Sequence, residues 1–317
     1  MITYTDTIRS FARKLLSDGS VYAFIGYKKG PTPSGHTPCK ITQAADADHL
    51  IWDSSCRQNL AAYLKPGGKE KIGIAAKGCD SRNIVTHLIE NRIKRDQLFI
   101  VGIPCTGMID KIKTADIVDG DVTAISEDAD GTITVTSAAG EKKVPKTDIL
   151  QENCATCMHR NPVISDDMVA DPVTELFDVA RYAELEPIEA MTPDARIQFF
   201  KKLLAACTRC YACKNACPLC YCPTCFVDES TPQWVGKSAD EVDTHTFHLL
   251  RAFHCAGRCT NCGACEAACP MGINMRLFTR KLDKSCFDRY GWISGLSVDE
   301  RPPLDVWKAN DTEEFIK

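Results

Sequence analysis

The sequence predicts two architectures in series: an α/β unit with a mainly parallel sheet and a small β insertion, then a mainly α-helical unit gathered round repeated cysteine runs. Three observations predict this. Residues 71–103 set two short, continuously apolar runs on either side of one helical period, the pattern of a strand-helix-strand unit. Residues 117–145 change to short alternating pieces separated by Asp119-Gly120, Asp130-Gly131 and Gly140, which are hairpin signals. From residue 193 onward the apolar spacing is helical, and the cysteines fall into two matching runs.

The runs carry the chemistry. Cys207, Cys210, Cys213 and Cys217 followed by Pro218 spell Cys-x2-Cys-x2-Cys-x3-Cys-Pro, and Cys259, Cys262, Cys265 and Cys269 followed by Pro270 spell it again. Three thiolates two residues apart wrap one face of a 4Fe-4S cube, while the fourth ligates the other cube, so the run has to occur twice. The expected ligand sets therefore cross: Cys207, Cys210 and Cys213 with Cys269, and Cys259, Cys262 and Cys265 with Cys217. Cubes held by four thiolates leave no iron open to substrate, so this unit reads as a two-cluster, ferredoxin-like conductor of electrons. The overlapping Cys213-x3-Cys217-x2-Cys220 matches the pattern of radical S-adenosylmethionine enzymes, but it strands Cys207 and Cys210 and lacks the repeated strand-helix units of a barrel.

Composition narrows the class. A chain of 317 residues has room for two domains, expected at 1–170 and 194–286, with a linker over 171–193 and a carboxy-terminal docking arm over 287–317. Hydrophobic content of 44% and charged content of 25% are ordinary for a globular protein, and a net charge of -4 gives no support to nucleic-acid or acidic-membrane binding. No apolar run approaches the ~20 residues of a membrane span. The amino terminus lacks a basic segment followed by an apolar one, so a cytoplasmic location is expected. Nineteen cysteines, an odd number, in a reducing compartment point to metal rather than to disulfides.

Taken in order, Ile8, Phe11, Ala12, Leu15 and Leu16 form a first amphipathic helix that stops near Gly19. Val21 to Tyr27 reads as a strand. Lys28 to Gly35 reads as a solvated loop, since it fits neither phosphate-binding glycine motif. Lys71 to Lys77 and Leu98 to Ile103 are the strands of the central unit, with a helix capped by Asp80 or Ser81 between them. Parallel strands joined by a crossover end on one sheet edge, where ligands bind, so Cys79 and Cys105 are brought to that edge. Cys154-Ala-Thr-Cys157 alone suits a redox dithiol, half a zinc site or half a cluster site. Together, Cys79, Cys105, Cys154 and Cys157 are expected to hold a third 4Fe-4S cluster, with Cys56 as a substitute ligand. Cys220, Cys222 and Cys225, with Cys255, are a leftover group suited to structural zinc or a further cluster.

The acidic, proline-interrupted stretch from Asp171 to Pro193 is a connector, and the helix that follows it carries Ile197, Phe200, Leu203 and Leu204. A helix over 239–254 is expected to turn Val242, Leu249, Leu250 and Phe253 inward. His245, His248 and His254 on it read as exposed or hydrogen-bonded rather than ligating. A last helix, with Met275, Leu277, Phe278 and Leu282, leads to Cys286.

Four segments carry a family resemblance over about residues 8 to 170: Ile25-Gly26-Tyr27-Lys28-Lys29-Gly30, Lys77-Gly78-Cys79-Asp80-Ser81-Arg82, Ile100-Val101-Gly102-Ile103-Pro104-Cys105 and Cys154-x-x-Cys157. They resemble the beta subunit of coenzyme F-420-reducing hydrogenases and formate dehydrogenases. The resemblance implies a flavoprotein that passes electron pairs between FAD and a deazaflavin. It also implies one 4Fe-4S cluster on Cys79, Cys105, Cys154 and Cys157, with Lys28, Lys77 and Arg82 near a flavin or nucleotide. The archetypal subunit lacks the long two-cluster extension. Cys217 to Cys225 of that extension is similar to iron-sulfur subunits of anaerobic sulfite reductases and of heterodisulfide-reductase-linked complexes.

The expected function is an electron-transfer subunit of a multisubunit anaerobic oxidoreductase, with other redox subunits as partners. Two alternatives remain beside it, a flavoenzyme that reduces a soluble coenzyme directly and a non-enzymatic, zinc-bound scaffold.

Overall fold

Helix α1 (Tyr4–Ser17) buries Ile8, Ala12 and Leu15 on one face. The chain then turns at Gly19, whose φ of 72° favours glycine. In this computed structural model residues 4–64, 68–307 and 309 are described. A five-stranded sheet holds β1 (Ala23–Thr32), β2 (Gly35–Ile41), β3 (Ile72–Lys77), β4 (Leu98–Ile103) and, later in the chain, β8 (Asp167–Met168), in the order β2-β1-β3-β4-β8. The four strands from β1 to β8 are parallel, and β2 is an antiparallel edge. The central strands are apolar on both faces because α1 packs on the sheet and α2 (Gly78–Ile89) makes the β3-to-β4 connection.

Two elements differ from the sequence reading. Residues 28–32 continue β1 and pair with β2, so the expected loop is the outer half of a hairpin. Its side chains are mostly exposed, which removes the apolar alternation that marks a strand, and Gly30 lies so close to Gly35 that a Cβ there would meet a backbone oxygen at 1.8 Å. Helix α2 begins at Gly78, ahead of the expected caps. Asp80 acts from inside the first turn, accepting from the Lys77 amide at 3.0 Å and the Leu60 amide at 2.8 Å.

The insertion is an antiparallel meander of β5 (Val122–Glu127), β6 (Thr132–Ser137) and β7 (Gly140–Pro145), packed on its own small core round Ile109, Ile133 and Val135. The short helices α3 (Lys111–Ala115) and α4 (Glu152–Ala155) flank it.

After Met168 the described elements are helices alone: a 3-10 turn at Ala183–Leu185, α5 (Glu186–Glu189), α6 (Pro193–Leu204), α7 (Ala212–Asn215), α8 (Glu241–His254), α9 (Ala264–Ala267) and α10 (Arg276–Tyr290). Thr192 caps α6 by accepting from the Ala195 amide, and Pro193 takes the first turn. The acidic connector packs on α10. Leu185 and Ile188 share a core with Leu277, and Glu184 pairs with Arg276 at 2.8 Å and Arg280 at 2.9 Å.

Helix α8 is rotated from the sequence reading. Of the four residues expected inward, Leu250 packs on the core, whereas Val242 is 75% exposed and Leu249 and Phe253 also face outward. The inward face joins Phe247 and Ala252 with the polar Thr244, His248 and Arg251, of which His248 and Arg251 border the cysteine pockets described below.

The returning tail lies against α2. The Ser294 carbonyl accepts from Arg82 Nε at 3.0 Å and Nη2 at 2.6 Å, and Arg301 donates to the Ile89 carbonyl at 3.0 Å. Residues 308 and 310–317 of the expected docking arm lie outside the described residues. Among those described, no helix is long and apolar enough to cross a membrane.

Candidate metal centres

Cys79 stands on the first turn of α2, just past β3, and Cys105 two residues past β4. Cys154 sits on α4, and Cys157 follows it. All four line one sheet-edge pocket with about 700 Å³ of space free of atoms, part of it open to solvent. The Gly107 amide donates to Cys105 Sγ and the Met108 amide to Cys154 Sγ, each at 3.4 Å. Such N–H groups favour thiolate over thiol. Burial acts in the opposite sense, raising the Cys79, Cys105 and Cys157 thiols and pushing Cys154 up to about 12. A cation bound among them would let all four ionise together. Cys56 is buried outside this pocket, its sulfur 3.9 Å from the Ile51 carbonyl.

The wall of this pocket is also basic. Arg57, Arg160 and Arg181 line it, and each has a buried guanidinium nitrogen with no hydrogen-bond partner; Gln151 Oε1 and His159 Nε2 are in the same position. Burial, then Arg82 and Arg181, push His159 down to about 4, so the ring is neutral near pH 7. Lys77 and Arg82 reach the pocket but are occupied by protein. Lys77 Nζ gives its three donors to the Tyr27 hydroxyl, the Gln58 carbonyl and Asp80 Oδ2, at 2.9, 2.8 and 3.0 Å. Arg82 ties α2 to the carbonyls of Ser294 and Thr260. Lys28 is exposed on β1 and lines none of the three pockets described here.

The two cysteine runs fold alike. Thr208 and Thr260 precede Arg209 (φ 52°) and Asn261 (φ 58°). After the next cysteine come Tyr211 (φ 61°) and Gly263 (φ 71°), which open α7 and α9. Left-handed residues at matching positions are a backbone feature from which N–H nests for anions and iron-sulfur clusters are built. Outside glycine such a conformation is uncommon and costs about 1 kcal/mol or more per residue, and three of these four positions are not glycine.

Each run contributes to two pockets. An outer pocket of about 320 Å³ is lined by Cys207, Cys210, Cys213 and Cys269. A middle pocket of about 390 Å³ is lined by Cys217, Cys259, Cys262 and Cys265, with Cys255 as a fifth. Each pocket thus gathers the cysteines of one of the crossed sets expected as ligands. The fourth cysteine of each run is carried over because α7 and α9 pack together. Burial pushes the Cys213 and Cys259 thiols up to about 12. The Ile273 amide donates to Cys269 Sγ and the Asn261 amide to Cys259 Sγ, both at 3.4 Å.

The three pockets adjoin. Thr260, Asn261 and Cys262 line both the sheet-edge and the middle pocket. Arg251 lines the middle pocket and donates Nη2 to the carbonyl of Cys213, an outer-pocket residue, at 3.1 Å. Burial disfavours the Arg251 charge, but the neighbouring thiols of Cys217, Cys265, Cys255 and Cys220 outweigh it. Of the outer set, Cys210 is exposed.

No family model matches the chain. Among curated proteins it is similar to the F-420-dependent formate dehydrogenase subunit beta of Methanocaldococcus jannaschii, with 24% identity covering 94% of this chain and 93% of that one. It is also similar to the F-420-dependent formate dehydrogenase 1 subunit beta of Methanococcus maripaludis, at 22% identity over 93% and 92%. A chain of the solved F-420-reducing NiFe hydrogenase complex from Methanosarcina barkeri aligns at a TM-score of 0.38 and 19% identity, over 49% of this chain and 58% of that one. Coverage of the two curated relatives extends past residue 170, so the likeness takes in the cysteine runs as well as the α/β half.

Sequence reasoning did not single out Arg57, Arg181 or Arg251, and it set His248 aside. His248 is buried, with Nε2 3.3 Å from Cys207 Sγ. The signal was present in the helical spacing of Thr244, His248 and Arg251, a polar stripe that is buried only because cysteines lie opposite it. The leftover cysteines do not gather as one group. Cys220 and Cys255 stand beside Cys217, Cys222 is exposed, and Cys225 packs against the apolar core under α8.

Proposed function

We propose that this chain is the electron-transfer beta-type subunit of a multisubunit, F-420-dependent or related oxidoreductase, relaying electrons between a two-electron carrier at the sheet edge and another redox subunit. The observation that carries the reading is the row of three adjoining pockets, each lined by four of the cysteines expected as ligands. The full-length likeness to the two formate dehydrogenase beta subunits supports it.

Bound 4Fe-4S clusters would supply three one-electron carriers. Cys79, Cys105, Cys154 and Cys157 would hold one, Cys259, Cys262, Cys265 and Cys217 the second, and Cys207, Cys210, Cys213 and Cys269 the third. The chain's part is to exclude water, to direct amide N–H groups at the sulfurs and to keep the ligand sets in fixed register. Beside its cysteines the sheet-edge pocket, which opens in part to solvent, sets Arg57, Arg160 and Arg181. Its unpartnered arginine nitrogens are suited to a flavin or deazaflavin bearing phosphate. The same observation favours a second reading, in which that pocket reduces a soluble coenzyme directly.

Anaerobic purification with iron, sulfide and flavin measured per chain tests the proposal. About twelve irons are expected, falling to about eight in Cys105→Ser and in Cys210→Ser, with different spectroscopic signals lost in each. Eight irons in the parent chain, unchanged by Cys105→Ser, would remove the sheet-edge centre. Zinc without sulfide would replace the relay by a scaffold. Reduction of a deazaflavin by the isolated subunit at the rate of the whole complex would select the second reading.

A further inference from the structure

The cysteines that line the middle pocket exceed what one cube needs, and the surplus is organised. Cys217, Cys220 and Cys255 bring their sulfurs within 4.8 Å of one another, with Cys255 buried and the other two half-buried. They come from three places: the end of the first cysteine run, the turn after it and the end of α8. The turn is fixed by a hydrogen bond from the Cys220 amide to the Cys217 carbonyl at 3.1 Å, and Cys255 is fixed by its amide to the Ala252 carbonyl at 3.0 Å. Sulfurs around one tetrahedral zinc stand about 3.8 Å apart, given Zn–S bonds of about 2.3 Å. The three need only small rotations to reach that geometry.

We propose that Cys217, Cys220 and Cys255 form a mononuclear site for a thiophilic divalent cation, zinc or ferrous iron, beside the middle pocket. Cys217-Pro-Leu-Cys220 has the two-residue spacing of a metal knuckle. Cys217 also lines the middle pocket, so its thiolate would bridge the cation and the cube expected there, using a second lone pair. Arg251, 6% exposed and with Nε lacking a hydrogen-bond partner, supplies positive charge beside the thiolates. Binding releases one proton per ionised thiol and needs no oxidant. Among the described residues no fourth side chain completes the set, so a small ligand from solution takes the remaining position.

The site rests on the cluster reading only through Cys217, and metal measured in excess of acid-labile sulfide separates the two. Cubes contain iron and sulfide in equal number, so the anaerobically purified full chain should hold about one metal atom, iron plus zinc, above its sulfide. The double variant Cys220→Ser, Cys255→Ala should lose that excess and keep its sulfide, and Cys222→Ser should keep both. Added Co2+ should give a thiolate-to-cobalt absorption band in the parent chain and none in the double variant. No excess in the parent, or an excess that survives the double variant, overturns the site. Loss of iron and sulfide in equal amounts would instead make Cys220 and Cys255 ligands of the cube. If the chain takes up no sulfide but still gives the cobalt band, the relay fails and this site stands.

Discussion

Single residues carry the sharpest consequences of the proposed crossed ligation. Cys269 lies in the second run but lines the outer pocket with Cys207, Cys210 and Cys213, whereas Cys217 lies in the first run and lines the middle pocket. Cys269→Ser should therefore remove the same electron paramagnetic resonance signal as Cys210→Ser, and Cys217→Ser the same signal as Cys259→Ser; the reverse pairing would refute the crossing. Arg82 has a different role, since its guanidinium satisfies two buried carbonyls of the carboxy-terminal part. Arg82→Met should lower stability by on the order of 3 kcal/mol, read as a shift in the urea midpoint, because charged hydrogen bonds are lost and their acceptors stay buried. The cysteine pattern was legible because ligand spacing is local. Arg82 was read, through the family resemblance, as near a flavin or nucleotide, and its carbonyl partners were not legible because they lie about two hundred residues downstream.

At the scale of elements, the start of α9 lies against the Asn153 side chain of α4 and leaves no room for a Cβ. Gly263 has φ 71°, and a Cβ there would lie 2.2 Å from Asn153 Oδ1. Gly263→Ala should raise susceptibility to limited proteolysis between the two halves. Adding Asn153→Ala should restore only part of the protection, since it relieves the collision and leaves the left-handed backbone cost of about 1 kcal/mol. The connector behaves similarly. Glu184 holds Arg276 and Arg280, which are both almost wholly buried and keep Glu266 and Asp283 as second partners, and Glu184→Ala should cost about 1.5–3 kcal/mol through the charged hydrogen bonds lost. Strands β3 and β4 and helix α6 were legible from apolar runs and capping residues. The outer half of β1 and the inward face of α8 were not. The former is exposed on both sides, and the latter buries polar groups that face cysteines, so hydropathy pointed the wrong way in each.

For the molecule as a whole, the shared wall between the sheet-edge and middle pockets makes Cys262 the residue whose loss should be felt twice. Cys262→Ser should alter the spectra assigned to both centres and slow electron passage between them, while Cys210→Ser should leave the sheet-edge spectrum unchanged; rapid-freeze reduction kinetics distinguish the two. None of this adjacency was legible in the sequence, because periodicity says which residues face inward and not which loops of separate halves meet.

The exposure of Cys210 sets one more property. Cys210 is the exposed member of the outer set and Cys207 is half-buried, while none of the cysteines lining the other two pockets is exposed. With clusters bound as proposed, air would therefore attack the relay from one end. Brief exposure to oxygen should bleach the outer centre first and sever the exit of the relay while its entrance still takes up electrons, so a partly oxidised sample would accept charge and fail to deliver it.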